Sequence, residues 1–440
     1  MRFLSCFLIA MCLTGCAAVV DQAPVEPSIH FSDNPALAGT PVVIRITDLE
    51  PNTLVTVVAS RRSSWNSDRL QQSTSRWRSD ESGTIDLSTD GPVEAEWKTA
   101  DINGVFWAMR TVDGAPPEEL QEDEVIFQMQ DSTGDELLED RLTVVASKQS
   151  LVETPLGDAF PGAFVLRPEG SESLPAIIIL GGSEGGDRAA RFSAPLWAAR
   201  GYAAVGYPYY SPAWGDMPQA VPGLPRAFSE IPIDHLIDVR AALEARGDIQ
   251  MDRIGLYGVS KGAEFVLAAA SRIEGFAAVA AIVPSDVIWE GWGVGTEAGK
   301  NSSFSWQGEP LPFVPYQGME RAVGQVADDE RVAMRVPHAE GRAANPDRVE
   351  PARIAVENID EPVFLLGGGR DSVWDSGIMA ANIAKTRADA GLETETLIFA
   401  NATHGLSGPP QYPTRTASSQ PKAASWPALQ AFFERTLKTE

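Results

Sequence analysis

Arg253-Ile254-Gly255-Leu256-Tyr257-Gly258-Val259-Ser260-Lys261-Gly262-Ala263-Glu264-Phe265, continuing as Val266-Leu267-Ala268-Ala269-Ala270, is the stretch whose reading decides the fold. An apolar run reaches a serine flanked by glycines and then resumes with good helix formers, a spacing that predicts strand, tight turn and helix. A serine on so sharp a turn takes a strained backbone conformation that lifts its hydroxyl out of the sheet. The adjoining strand and helix backbones then pass too close for side chains at Gly258 and Gly262. The pentapeptide alone is a weak signal, since average composition would produce it by chance in roughly one chain of this length in seven. Its weight comes from what surrounds it.

On the N-terminal side, Ala176-Ile177-Ile178-Ile179-Leu180 reads as a buried strand ending in Gly181-Gly182-Ser183-Glu184-Gly185-Gly186. A helix is expected over 188–200, a strand over 202–206, a Pro-rich aromatic loop over 208–227 and a helix over 233–246. On the C-terminal side the apolar strand 276–283 ends in Pro284-Ser285-Asp286. Regular alternation returns with strand 363–366, helix 374–391, strand 394–399 and helix 423–437. Such alternation predicts a mostly parallel, doubly wound sheet with helices on both faces, spanning 149–440. Between Trp289 and Arg353 the periodicity fails, and the stretch of about 289–353 is too long for a simple connection; it reads as an insertion over the active site.

A serine hydroxyl needs a base, and the base needs an acid that fixes its tautomer. Of the four histidines, His30 lies at the start of the β-rich region, His235 along a helix and His338 in the insertion. His404, in Asn401-Ala402-Thr403-His404-Gly405, follows the last strand, where a sheet delivers its loop to the carboxyl edge. The acid is Asp371, in Gly367-Gly368-Gly369-Arg370-Asp371 after the strand ending at Leu366. Asp375, one turn later, reads as a helix-start residue, and Asp286 is the other competitor. Ser260, Asp371 and His404 stand in the chain order of an α/β-hydrolase triad. The expected oxyanion donors are the backbone N–H of Lys261 and one from the glycine loop, Ser183. The Lys261 side chain reads as a solvated charge at the helix start or a substrate contact, and Glu184 carries the same two readings.

Before this domain the period changes to two. Runs at 42–47, 54–59, 83–87, 105–109 and 142–145 are β-rich and separated by Asp, Asn, Gly and Pro turns, which suggests an all-β, immunoglobulin-like sandwich over 28–148. Trp65, Trp77, Trp97 and Trp107 are expected to fill its core or the domain seam rather than form a sugar platform.

The extreme N-terminus reads as an address. Arg2 precedes a short apolar stretch that ends in Leu13-Thr14-Gly15-Cys16, which resembles a bacterial lipobox. The expectation is a signal peptide at 1–15, lipidation of Cys16, a polar tether over 16–27 and attachment to an envelope membrane, the outer one given Ala17 after the cysteine. The other two cysteines, Cys6 and Cys12, fall inside the signal, so neither an internal disulfide nor a catalytic thiol is expected. A formal net charge of -25 argues against a nucleic-acid partner. No ligand-spaced cluster of His, Cys or carboxylates implies a metal, and no cofactor is expected.

Taken together the residues resemble the acyl-CoA thioesterase and bile acid-CoA:amino acid N-acyltransferase family over nearly the whole mature chain. The likeness is carried by Thr40-Pro41-Val42-Val43-Ile44, Gly104-Val105-Phe106-Trp107-Ala108-Met109, Leu180 through Gly186, Gly258 through Glu264, Val283-Pro284-Ser285, Asp371-Ser372-Val373-Trp374-Asp375-Ser376, and His404-Gly405 followed by Pro409-Pro410. It implies an acyl-CoA substrate and places the family's nucleophile, acid and base on Ser260, Asp371 and His404. Amino-acid-conjugating members carry a cysteine nucleophile, so Ser260 implies hydrolysis rather than transfer. The resemblance also leaves Arg188, Arg191, Arg321 and Lys300 as candidate phosphate contacts.

Overall fold

The computed structural model describes residues 26–438 apart from Trp65, 214–217, 323–333 and 415–416, so the lipobox and Cys16 lie outside the described residues. The N-terminal region is a two-layer sandwich of β1 (Ser28–Phe31), β2 (Ala36–Leu37), β3 (Ile44–Thr47), β4 (Leu54–Arg62), β5 (Leu70–Arg78), β6 (Ile85–Asp86), β7 (Arg110–Thr111), β8 (Glu124–Gln130) and β9 (Glu136–Val145). One sheet runs β1-β3-β6 and the other β2-β9-β8-β4-β5-β7. Phe31 of the first meets Phe127 of the second at 5.4 Å. Trp77, Trp97 and Trp107 are core residues, as expected.

Two local readings fail here for physical reasons. The apolar run 105–109 is not a strand: Gly104–Trp107 is one helical turn, α1, with Asp101 accepting the Trp107 indole N–H at 2.8 Å. All four residues of the turn are buried, so no alternation distinguishes strand from helix. Conversely, β5 escaped notice because its inward positions are Gln71, Ser73, Ser75 and Trp77, three of them polar. Two are satisfied inside the sandwich, Ser73 donating to the Val105 carbonyl at 2.6 Å and Ser75 accepting the Trp77 indole N–H at 2.8 Å.

The second region is built on one eight-stranded sheet of β10 (Leu151–Pro155), β11 (Phe164–Pro168), β12 (Leu174–Leu180), β13 (Ala203–Gly206), β15 (Ile249–Val259), β16 (Ala278–Ile282), β19 (Val363–Gly368) and β20 (Thr394–Phe399), in the order β10-β11-β13-β12-β15-β16-β19-β20. The pairs from β13 through β20 are parallel, and β11 runs antiparallel between β10 and β13. This is the α/β-hydrolase order. The β10–β11 hairpin precedes the first helix of this region, and no break in the alternating pattern marks it in the sequence.

Successive strand residues feed opposite faces. Ile177, Ile179, Tyr257, Ala280 and Leu366 join one buried cluster with α2 (Arg188–Ala198) and the helix Lys422–Leu437; that cluster continues into the sandwich core. Ile178, Leu180, Leu256, Ala281 and Leu365 join the other with α3 (His235–Arg246), α4 (Lys261–Ala270) and the helix Ser376–Asp389. The insertion is more ordered than its sequence suggested: β14 (Ile231–Pro232) pairs with β17 (Phe304–Trp306), which pairs with β18 (Glu309–Pro310), and helices follow at Arg335–Ala344 and Pro346–Val349.

Candidate active site

Ser260 sits between β15 and α4 with φ 58° and ψ −120°, the positive φ that a sharp elbow imposes on a non-glycine residue. The flanking glycines are obligatory. A Cβ at Gly258 would lie 2.2 Å from the Gly262 carbonyl oxygen, and one at Gly262 would lie 2.4 Å from the Gly181 oxygen and 2.6 Å from that of Leu180. Strand, helix and glycine loop therefore meet at backbone contact around the serine.

The structure brings Ser260, His404 and Asp371 together from the ends of the fifth strand, the eighth and the seventh. His404 Nε2 is 2.8 Å from Ser260 Oγ, and its Nδ1 is 2.9 and 2.8 Å from the two Asp371 oxygens. The Asp371 side chain is fully buried, while that of His404 keeps 22% exposure. Oδ1 of Asp371 also accepts the N–H of Val373 at 2.8 Å and of Trp374 at 3.3 Å, and Oδ2 accepts the Ser376 hydroxyl at 2.5 Å. Those donors fix the plane of the carboxylate. The Trp374 ring stands edge-on to His404 at 5.6 Å and donates its indole N–H to the Val283 carbonyl at 3.1 Å. Val283 itself is held at φ 48°.

Beside Ser260, the Lys261 N–H opens α4 and has no partner within the helix. In the glycine loop Ser183 is exposed. The Gly182 N–H donates to Glu184 Oε1 at 2.9 Å, and a Cβ at Gly182 would stand 3.1 Å from that of Ser260. Tyr209 donates to the Gly181 carbonyl at 2.8 Å, which pins the loop from below. Glu184 therefore bonds its own loop. Such a constellation can deliver a serine oxygen to an acyl carbonyl, pass its proton to an imidazole and surround the resulting oxyanion with N–H donors.

The Lys261 side chain is not a solvated charge at the helix start. It is 2% exposed, ion-paired with Glu264 at 2.7 Å and hydrogen-bonded to Ser303 at 2.8 Å, inside a cage of Phe228, Trp292 and Phe304. Glu264 in turn accepts the Trp289 N–H at 2.9 Å. Burial pushes the lysine's pKa down and the glutamate's up, and their mutual attraction opposes both shifts. The pair fastens the insertion to the elbow helix. Its signal, Lys-x-x-Glu in the first helical turn, looks in sequence like an ordinary surface pair.

The other candidates are elsewhere. Asp375 precedes the helix Ser376–Asp389 and pairs with Arg335, while Asp286 is held by Arg342 and by Asn382 at 2.8 Å. His30 and His235 are exposed. His338 is buried among Trp289, Tyr316 and Trp374, and burial pushes its pKa down to about 3, so its imidazole is neutral. Of the four candidate phosphate contacts, Arg191 is paired with Asp187 and Glu153, and Arg321 with Glu340. Arg188 begins α2, and Lys300 is exposed. Ser376 and Trp374, which hold Asp371 and border His404, carry no mark of that role in the sequence beyond their place in the stretch Asp371-Ser372-Val373-Trp374-Asp375-Ser376.

Comparison with known proteins adds a family to this geometry. A model described as the acyl-CoA thioester hydrolase/BAAT N-terminal region matches residues 39–139, and one described as the BAAT/acyl-CoA thioester hydrolase C terminal matches residues 240–426; together they span more than half of the chain. The mitochondrial acyl-coenzyme A thioesterase 2 of Mus musculus is 24% identical over 431 residues, covering 90% of this chain and 86% of its own. Acyl-coenzyme A thioesterase 1 of Homo sapiens is 24% identical over 426 residues, covering 90% and 93%. Acyl-coenzyme A amino acid N-acyltransferase 2 of Rattus norvegicus is 26% identical over 269 residues, covering 58% and 61%.

Proposed function

The chain belongs to the acyl-CoA thioester hydrolase/BAAT family, and from that premise we propose that it hydrolyses acyl thioesters, acyl-CoA foremost, with Ser260 as nucleophile. Ser260 Oγ attacks the acyl carbonyl as His404 Nε2 takes the hydroxyl proton, and the N–H groups of Lys261 and Ser183 receive the oxyanion. The C–S bond breaks, the imidazolium protonates the departing thiolate, and an acyl-serine remains. Water, deprotonated by the same imidazole, attacks that ester; the C–O bond to Ser260 breaks, the acid leaves and the serine recovers its proton. Asp371 keeps Nδ1 protonated throughout. The observation that carries this reading is the hydrogen-bonded relay of Ser260, His404 and Asp371, at 2.8 Å on each side of the imidazole.

An amine attacks an oxyester such as acyl-Ser260 far less readily than it attacks the thioester a cysteine would form, which favours hydrolysis over the transfer chemistry of the N-acyltransferase relatives. A second reading is favoured by Leu13-Thr14-Gly15-Cys16: an enzyme lipid-anchored at Cys16 in a bacterial envelope would meet oxyesters rather than acyl-CoA, and the same relay cleaves them.

The deciding assay follows thiol release from palmitoyl-CoA beside phenol release from p-nitrophenyl esters, with Ser260→Ala as the control and a fluorophosphonate probe to label the serine. Thioester cleavage lost in the variant is the expected result. Ester cleavage alone would replace acyl-CoA with an envelope ester, and a folded protein that the probe does not label would end the hydrolase reading. Intact mass of the membrane-extracted protein tests the anchor; an unmodified N-terminus on a soluble mature chain refutes it.

A further inference from the structure

His404 is carried by the least regular part of the catalytic domain. Between β20, ending at Phe399, and the helix beginning at Lys422, no described residue belongs to a helix or strand. A loop of that length is ordinarily mobile, yet a general base must be held to fractions of an ångström. The loop is closed on itself near the histidine, where the Ser418 hydroxyl accepts the Thr403 N–H at 2.9 Å and donates to the Thr403 carbonyl at 3.1 Å. Its far side is held by the sandwich.

Gln411, 1% exposed, accepts the Gly39 N–H at 3.0 Å and donates to the Thr40 carbonyl at 3.0 Å, while its own main-chain carbonyl accepts Arg61 Nη1 at 2.5 Å. Arg61 is itself 1% exposed and lies 4.8 Å over the Tyr412 ring. The turn that Gln411 grips is embedded in the catalytic domain: Ala38 accepts from Arg200 at 2.6 Å, and Gly39, at φ +82°, lies so close to Trp426 that an added Cβ would stand 2.0 Å from the indole nitrogen. From Gln411 back to His404 the chain passes Pro410 and Pro409, whose φ is fixed, and then Gly408 to Gly405, where the buried Leu406 donates its N–H to the His404 carbonyl at 3.0 Å.

We propose that the sandwich acts as the positioning element for the catalytic base, with Gln411 as the positioning residue through which the turn Ala38-Gly39-Thr40 and Arg61 hold the His404 loop in register with Asp371 and Ser260. The inference rests on the reading of His404 as the base. It gives the N-terminal domain a part in catalysis without any contact to substrate, and it makes the seam between the domains, rather than the triad alone, a determinant of rate.

The test compares wild type with Gln411→Ala on a p-nitrophenyl ester and in the rate of inactivation by a fluorophosphonate, at a temperature where circular dichroism shows both fully folded. Releasing the loop is expected to lower kcat and the inactivation rate together by about 10- to 100-fold, the penalty of a misplacement near 1 Å, with KM changed less than about two-fold. Complete final labelling at the reduced rate separates a misplaced base from a partly unfolded population, which would leave a fraction of the protein unlabelled. Arg61→Met, on the sandwich side of the clamp, should give the same pattern, and it carries the test if Gln411→Ala does not fold. Folded variants whose inactivation rate and kcat both match wild type would overturn the proposal. Failure of the wild-type protein itself to react would instead sink the hydrolase reading on which it depends.

Discussion

Lys261→Met removes the cation of the buried pair under the nucleophile and leaves the Glu264 carboxylate, 0% exposed, with the Trp289 N–H as its hydrogen-bond donor. Breaking one side of a buried ion pair costs about 3–5 kcal/mol, most of it the uncompensated charge. The double variant Lys261→Met/Glu264→Leu gives up the pair but strands no charge, so it should be more stable than the single by about 2 kcal/mol or more. A pH dependence follows with a definite sign. Burial already raises the Glu264 pKa, and without the lysine nothing ionic opposes it. The folded single variant then binds a proton more tightly than its unfolded chain, so its stability is greatest below the unfolded value of about 4.3 and declines as pH rises toward the folded pKa, by about 1.4 kcal/mol per unit. Urea midpoints from tryptophan fluorescence at about pH 5 and about pH 8 measure both effects on wild type, single and double variants. A single variant no less stable than the double, with a deficit from wild type that is flat in pH, would refute the argument that the pair is ionic and desolvated.

Two further outcomes follow from groups around the triad. Ser376→Ala deletes a hydroxyl donor to Asp371 while leaving the Val373 and Trp374 N–H groups in place, so kcat/KM should fall about ten-fold, near the worth of one hydrogen bond to a charged group, with KM little changed; an unaltered kcat/KM would show that the remaining donors suffice. His338 has its pKa lowered from 6.5 to about 3 by burial, so the unfolded chain takes up a proton that the native state refuses. Wild-type stability should therefore fall on acidification below about pH 6.5, reaching a deficit of about 2 kcal/mol near pH 5, and His338→Phe should remove that acid-limb slope in urea-midpoint measurements.

What was legible in the sequence is what is local. The elbow announces itself because its strain requires glycines at two fixed offsets from Ser260, and the alternation of strand and helix survives because residues such as Ile177 and Ile178 must each be apolar to face a different cluster. Asp371 and His404 could be chosen because a parallel sheet delivers the residues that follow its strands to one edge. Legibility ended where polarity and burial part company. The inward Gln71, Ser73 and Ser75 left β5 without an apolar alternation, and Lys261 reads as a solvated charge or a substrate contact, because hydropathy assumes that polar groups face water. The Val105 carbonyl that accepts from Ser73, and the Ser303 hydroxyl and Trp289 N–H that meet Lys261 and Glu264, come from later in the chain and carry no local mark. The clamp on the histidine loop lies further still from local reading: Gln411 and Thr40 are 371 positions apart, and neither belongs to a periodic element. A pattern of residue types can specify which strand end carries the base. Holding His404 Nε2 at 2.8 Å from Ser260 Oγ is a property of contacts between distant segments, so substitutions in the sandwich, remote from both residues, are where the rate of this enzyme should prove unexpectedly sensitive.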